Sequence, residues 1–268
     1  PARDLLRSGW CDAVVARHGQ RAALADMLDL LGFPGRTVAA HATLPASGAL
    51  PATPLPAVLA DMAITFCEVH GDRRLADDRA LMGGLARLAP AGPRALILAT
   101  QAGPDRVKSR RRAGAIGAAG WHKATRLLEL AGRFGLPVVT VLDRPGMRVG
   151  LRDQPAAVAA AMGQTLRTLL TLPVPTISVC LQTDGGLAGL TLAATDSLLV
   201  QEDGLSRCQL AVPADDTFPA GQMPSILARV LHDLTQTYAV HGPLGRRKLL
   251  QRRYARWLHQ QPAREVPE

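Results

Sequence analysis

Apolar positions recur every three or four residues from 4 to 32 (DLLRSGWCDAVVARHGQRAALADMLDLLG). This spacing predicts helix over residues 1–33, with Gly32 near its end. Leucine and valine share one face of it, so the piece is expected to dock onto something. Residues 34–59 break the pattern. Pro34, Pro45, Pro51, Pro54 and Pro56 stand there among Ala, Gly and Ser, the composition of a linker. From residue 60 the pattern alternates. RALILAT (94–100), LPVVTVL (136–142) and VPTISVCL (174–181) are short apolar runs that predict buried strands, and 196–200 is a fourth. Residues 122–134, 155–172, 224–240 and 243–260 carry helical periodicity. Strands separated by helices of this length predict an α/β body over 60–268, with no internal repeat.

Composition narrows this picture. A chain of 268 residues that is 47% apolar but only 3% aromatic must fill its interior with Ala, Leu and Val. It has no run of about 18 apolar residues, so no membrane span is expected. The N-terminus lacks a basic-then-apolar leader pattern, so the chain reads as cytoplasmic. Cys11, Cys67, Cys180 and Cys208 form no C-x-x-C pair, which argues against a zinc ribbon or a disulfide framework. A net charge of +9 points to an acidic or phosphate-bearing partner. The excess gathers in two places. Arg106, Lys108, Arg110, Arg111 and Arg112 adjoin the glycines at 114, 117 and 120, where phosphate contact is expected. Arg246, Arg247, Lys248, Arg252, Arg253 and Arg256 form either a solvated helix face or a contact surface. No recognised nucleic-acid module accompanies them.

The stretch CEVHGDRRLADDRALMGGLARL (67–88) is the most specific motif. Its His70-Gly71-Asp72-Arg73 turn, Ala76-Asp77-Asp78 step and Gly83-Gly84 pair resemble the opening signature of the α subunit of bacterial acetyl-CoA carboxylase carboxyltransferase. Residues 1–33 resemble a different protein, the C-terminal tail of the β subunit of that enzyme, through Gly9, Asp12, Val14, Val15, Arg21, Leu24, Leu28 and Leu31. The junction suggests a fused β–α arrangement. The resemblance implies a crotonase-like (ClpP/crotonase) ββα superhelix with flanking helices.

Further motifs carry the resemblance onward. In RRAGAIGAAGWHKATRLL (111–128), Arg111, Gly114, Gly120, Lys123, Ala124, Arg126 and Leu127 match the family, and Trp121 stands where it has tyrosine. By this resemblance Arg110, Arg111, Gly114, Gly120, Trp121, Lys123 and Arg148 are expected to contact substrate or cofactor. Gly120, just ahead of a helix, is expected to offer N–H groups to an anion. Asp143, Pro145, Gly146 and Gly150 match an Asp-x-Pro-Gly turn. Gly185, Gly186, Leu187 and Ala188 cover a glycine-rich turn, although the second Gly-Gly of the family falls on Leu187-Ala188. The resemblance makes the main-chain N–H groups of Gly146, Gly150, Gly185, Gly186, Leu187 and Ala188 the expected oxyanion donors. Departures also occur. Gln154-Pro155-Ala156-Ala157-Val158 replaces a Glu-Glu-Arg-Gly-Gln run, and the segment after Val200 is shortened.

The implied reaction is transfer of a carboxyl group from carboxybiotin, held on a carrier protein, to an acyl-CoA-type thioester. Negative charge develops on substrate and cofactor oxygens, so preorganised amides suffice without a nucleophile or a metal. No G-x-S-x-G, HExxH or Walker motif is present. His70 and His122 are open to either a general-base or a structural role. The resemblance also implies a β-subunit-like partner chain and a hetero-oligomer. Two alternatives follow from the departures: a biotin-independent relative performing decarboxylation or acyl transfer in a biosynthetic pathway, or a non-catalytic scaffold subunit.

Overall fold

A seven-stranded sheet organises the chain. The computed structural model describes residues 2–32, 63–74, 76–88, 92–100, 115–143, 145–147, 154–183, 186–202, 210, 212–219, 221–240 and 242–258. Strands β1 (Ala63–Glu68), β2 (Leu81–Leu88) and β3 (Arg94–Thr100) form an antiparallel meander. The sheet continues in parallel through β5 (Val138–Asp143), β7 (Thr176–Gln182), β8 (Ser197–Gln201) and β9 (Asp216–Phe218), in the order β1-β2-β3-β5-β7-β8-β9. Two short strands, β4 (Ala115–Ile116) and β6 (Gly146–Met147), pair in parallel apart from it.

Alternation along each strand makes two cores. On β3, Leu96 and Leu98 join the cluster that includes Leu127 and Leu128 of helix α3 (Ala118–Phe134) and Val158 and Leu169 of α4 (Pro155–Thr171). Ala95, Ile97 and Ala99 point the other way, with Leu227 and Leu231 of α6 (Met223–Val240). Between α4 and α6 lies the short α5 (Leu187–Leu192), and α7 (Gly242–Leu258) closes the chain. None of the described helices is long and apolar enough to cross a membrane.

The four expected strands are present, with edges moved by up to two residues. β2 carries no alternating signal because it is buried along almost its whole length. Helix α3 starts at Ala118 rather than 122, because Ala118-Ala119-Gly120 has the look of a loop. The N-terminal helix is not continuous. Helix α1 (Ala2–Arg7) stops at a left-handed Gly9, residues 10–16 are not helical, and a single 3₁₀ turn (Arg17–Gly19) leads into α2 (Gln20–Leu30).

This segment lies against the body. Leu6 and Leu30 are buried, and Asp29 bridges Arg87 of β2 and Arg94 of β3, the latter at 3.0 Å. The expected linker lies outside the described residues. The C-terminal basic cluster also divides. Arg246, Arg247, Lys248 and Arg252 are exposed, but Arg253 is fully buried and Arg256 pairs with Asp215 at 2.5 Å.

Candidate functional site

The signature motif folds into a tight turn whose charges are matched inside the chain. Gly71 and Arg73 both adopt left-handed backbone. Asp72 Oδ1 accepts the N–H groups of Arg74 and Ala76 at 2.8 and 3.0 Å. Asp77 is the hub. Its Oδ1 accepts from the Gly71 N–H at 2.9 Å and from Lys123 Nζ at 2.7 Å, and its Oδ2 lies 2.8 Å from His70 Nδ1. Burial pushes the Asp77 carboxyl up, but the His70 hydrogen bond and the Lys123 charge reverse this and hold it well below the usual carboxylate range. The hydrogen bond to Asp77 raises the His70 pKa above its ordinary value, against the opposing effect of burial.

The neighbouring Asp78 caps α3. Its Oδ2 accepts the Gly117 N–H at 2.8 Å. It also lies 3.1 Å from where a Cβ on Gly120 would stand. The carboxylate of the chain itself therefore takes the anion position at this helix start. Gly120 sits buried in the first turn of α3 against Ile116 and Asp78. Trp121 and Lys123 are also buried, the latter held by Asp77 and by the Asp78 carbonyl at 3.1 Å. His122 is half-buried beside Arg74, with its Nε2 3.3 Å from the guanidinium; burial and that charge lower its pKa.

The second turn differs in kind. Gly186 and Leu187 are exposed where the chain leaves the carboxyl end of β7, while Ala188 is buried. Leu187, at 62% exposure, opens α5, whose first-turn amides have no acceptor within the helix. The turn abuts the other glycine motif: a Cβ on Gly189 would lie 3.5 Å from Pro145 Cγ. Gly146 follows in β6, half-buried. The structure thus brings Gly146, Gly186, Leu187 and Ala188 into one region. Gly150, Gly185, Arg110, Arg111, Gly114 and Arg148 lie outside the described residues.

One feature went unread in the sequence. Asp12 bridges Arg73 and Arg126, the latter at 3.1 Å, and Arg126 in turn donates to the carbonyls of His70 and Gly71 at 2.7 and 2.8 Å. Asp12 and Arg126 had each been noted, in separate motifs, but nothing local links positions 114 residues apart.

The paired titration makes a testable statement. Stability that His70 gains from Asp77 is full below its unfolded pKa of 6.5 and is lost as pH rises through its raised folded value. The Asp77 contribution is full above 3.8 and is lost as pH falls through its depressed value. Both are complete between about 4 and 6.5. From pH 6 to 9 the wild-type Tm is expected to fall about 2–4 °C more than that of His70→Gln, the shift roughly 1 kcal/mol produces at this size. Parallel melting profiles for the two proteins would refute this.

The parallel sheet and its antiparallel leading strands define a crotonase-like α/β fold. The crystal structure of 12S transcarboxylase with methylmalonyl-coenzyme A and methylmalonic acid bound has the same fold, with a TM-score of 0.50 and 16% identity over 79% of this chain and 43% of that one. Residues 55–206, more than half of the chain, match the family model for acetyl co-enzyme A carboxylase carboxyltransferase-like proteins, and the chain belongs to that family. It is 34% identical over 226 residues to the acetyl-coenzyme A carboxylase carboxyl transferase subunits beta/alpha of Salinispora arenicola, covering 75% of this chain and 40% of that protein. Over 139 residues it is 36% identical to the corresponding subunit alpha of Deinococcus radiodurans, covering 52% of this chain and 43% of that protein. The chain therefore spans about two fifths of the length of these relatives.

Proposed function

We propose that the chain is the α-like component of a carboxyltransferase acting on an acyl-CoA-type thioester, completed by a β-like carboxyltransferase chain in a hetero-oligomer. The observation that carries this reading is the open position of the Gly186-Leu187 turn beside the Gly146 motif. A turn sealed in the core could not meet a substrate. Its first-turn amides are fixed by the end of β7 and the start of α5, so they need little reorganisation to receive negative charge. The donor set suits carboxybiotin on a carrier protein, because it is main-chain N–H rather than a reactive side chain. When bound, that group supplies the carboxyl to be transferred. The residues of this chain orient the acceptor oxygens and hold their charge, and no metal is called on.

A second reading rests on Leu187. The family pattern places glycine there, and here a branched side chain projects from the turn. Such a side chain narrows the approach for a bicyclic ring and favours a biotin-independent thioester reaction. One assay separates the readings: carboxyl transfer from malonyl-CoA to a biotin derivative, measured in the presence of the β-like partner. Biotin-dependent exchange supports the first reading, and thioester turnover that ignores biotin supports the second. With no turnover in either form, the chain is a scaffold. Leu187→Gly is expected to raise biotin-dependent exchange about tenfold, the factor that roughly 1.4 kcal/mol of barrier carries. An unchanged or lower rate would remove Leu187 as the obstacle.

A further inference from the structure

We propose that Thr100 is a positioning residue for the candidate site. Its hydroxyl fixes where β5 leaves the sheet, and so where Gly146 stands relative to the Gly186-Leu187 turn. This rests on the reading above, that these two turns serve one substrate, and adds what holds them at their spacing.

The ladder loosens just where the Gly146 motif begins. Pairing of β3 with β5 runs from Leu96 opposite Val138 and ends with Ala99 opposite Val141. On the other side of β5 the register shifts, with Leu142 opposite Cys180 but Asp143 opposite Gln182. A strand end released on one side and offset on the other takes no fixed exit direction from the ladder. Thr100, the last residue of β3, supplies one. Its Oγ1 accepts the Asp143 N–H at 2.7 Å. The hydroxyl proton faces two carbonyl oxygens of β5, those of Asp143 at 3.1 Å and Val141 at 3.3 Å. One side chain thus replaces a strand neighbour for Asp143. Alternation puts Thr100 on the side of Leu96 and Leu98, where β3 is otherwise apolar, and it is 1% exposed. Valine would fill that space without a polar atom to satisfy, so the hydroxyl is there for its bonds.

Gly146 is three residues on from Asp143. Between them Pro145, with its fixed φ, gives the link little freedom to absorb a shift. Pro145 is buried, and its Cγ lies 3.5 Å from where a Cβ on Gly189 of α5 would stand. That Cβ would also meet Thr183 Oγ1 at 2.6 Å, so α5 is closely seated at this point. A displacement of Asp143 is therefore passed to Gly146 along the chain and, through Pro145, to α5, which opens on Leu187. Thr100 acts through Asp143 rather than on a substrate.

The test compares Thr100→Val, which keeps the shape and removes the hydroxyl, with Thr100→Ser, which keeps the hydroxyl. Thr176→Val is the control. Thr176 is also buried, and its hydroxyl likewise accepts a main-chain N–H, that of Asp196 at 3.0 Å, but at the amino end of β7. Each variant is assayed with the β-like partner in the carboxyl transfer or thioester turnover described above, and hydrogen exchange is followed at the Asp143 amide. Thr100→Val is expected to lower kcat about tenfold, to keep KM within about twofold of wild type, and to speed Asp143 exchange about tenfold. Thr100→Ser should recover most of both losses. Thr176→Val should lower the melting temperature to a similar degree as Thr100→Val and keep kcat within about twofold of wild type. Faster exchange at Asp143 with a wild-type kcat in Thr100→Val overturns the proposal, since the hydroxyl then serves the fold alone. An equal loss of kcat in Thr176→Val, or no recovery with serine, overturns it too. These outcomes leave the proposed function standing. A wild-type protein that turns over neither with biotin nor without it removes the proposed function, and the positioning role with it.

Discussion

Arg253→Ala is expected to lower stability by about 3–5 kcal/mol, the cost of leaving one member of a buried ion pair unmatched. Arg253 projects from α7 into the body with 0% exposure. Its Nε and Nη2 grip the two Asp196 carboxylate oxygens at 2.8 and 2.7 Å. Nη1 donates to the Leu169 and Leu172 carbonyls at 2.7 and 2.8 Å, and Nη2 to Val174 at 2.9 Å. One planar group thus closes the end of α4, the entry to β7 and the approach to β8. Truncation takes a donor from three carbonyls and leaves the buried Asp196 carboxylate without its cation, held by the Thr176 N–H and hydroxyl. Arg253→Lys should recover little, because an ammonium cannot span a carboxylate and three carbonyls from one position. Thermal melting is expected to drop by roughly 10 °C for the alanine variant. Asp196→Asn should fall between it and wild type. A melting curve unmoved by Arg253→Ala would mean that α7 is not anchored through this residue.

The same residue shows what sequence can and cannot convey. Arg253 sat in a basic cluster with Arg252 and Arg256, and nothing in local composition separates a solvated arginine from one enclosed by α4 and Asp196. β3 was legible to its ends, because RALILAT is an apolar run bounded by polar residues. β2 was not, because its Gly83-Gly84 pair and continuous burial erase the two-residue period. The two glycine motifs were legible only as separate stretches; that Gly189 of α5 lies against Pro145 is a tertiary contact the sequence does not show. The contacts that bury Lys123 and Gly120 were not legible for one reason. Their partners, Asp77 and Asp78, lie some forty residues earlier, and sequence does not say which carboxylate will cap which helix.

Gly71→Ala is expected to release the N-terminal segment while leaving the sheet intact. Gly71 has φ +78°, a backbone that costs a residue with a Cβ about 1–3 kcal/mol. Space is also lacking. A Cβ there would lie 2.3 Å from the Gly9 carbonyl oxygen and 2.5 Å from its Cα. Gly9 cannot retreat along its own chain, since it too is left-handed, and a Cβ on it would meet the Ala76 carbonyl at 2.5 Å. Two backbones therefore touch where neither has a side chain to yield. Forcing them apart breaks the bonds from the Arg73 N–H to Gly9 and from the His70 N–H to the Asp12 carbonyl, and it pulls Asp12 away from Arg73 and Arg126. The strands take no part in the contact, so the core should persist. Limited trypsin digestion is expected to cut after Arg17 and Arg21 at least ten times faster than in wild type, with cleavage inside the sheet unchanged. Hydrogen exchange should accelerate at the Arg73, His70 and Asp77 amides, which donate to carbonyls of the segment. Full protection of Arg17 and Arg21 in Gly71→Ala would show that Asp29 and the buried leucines hold the segment without the glycine joint.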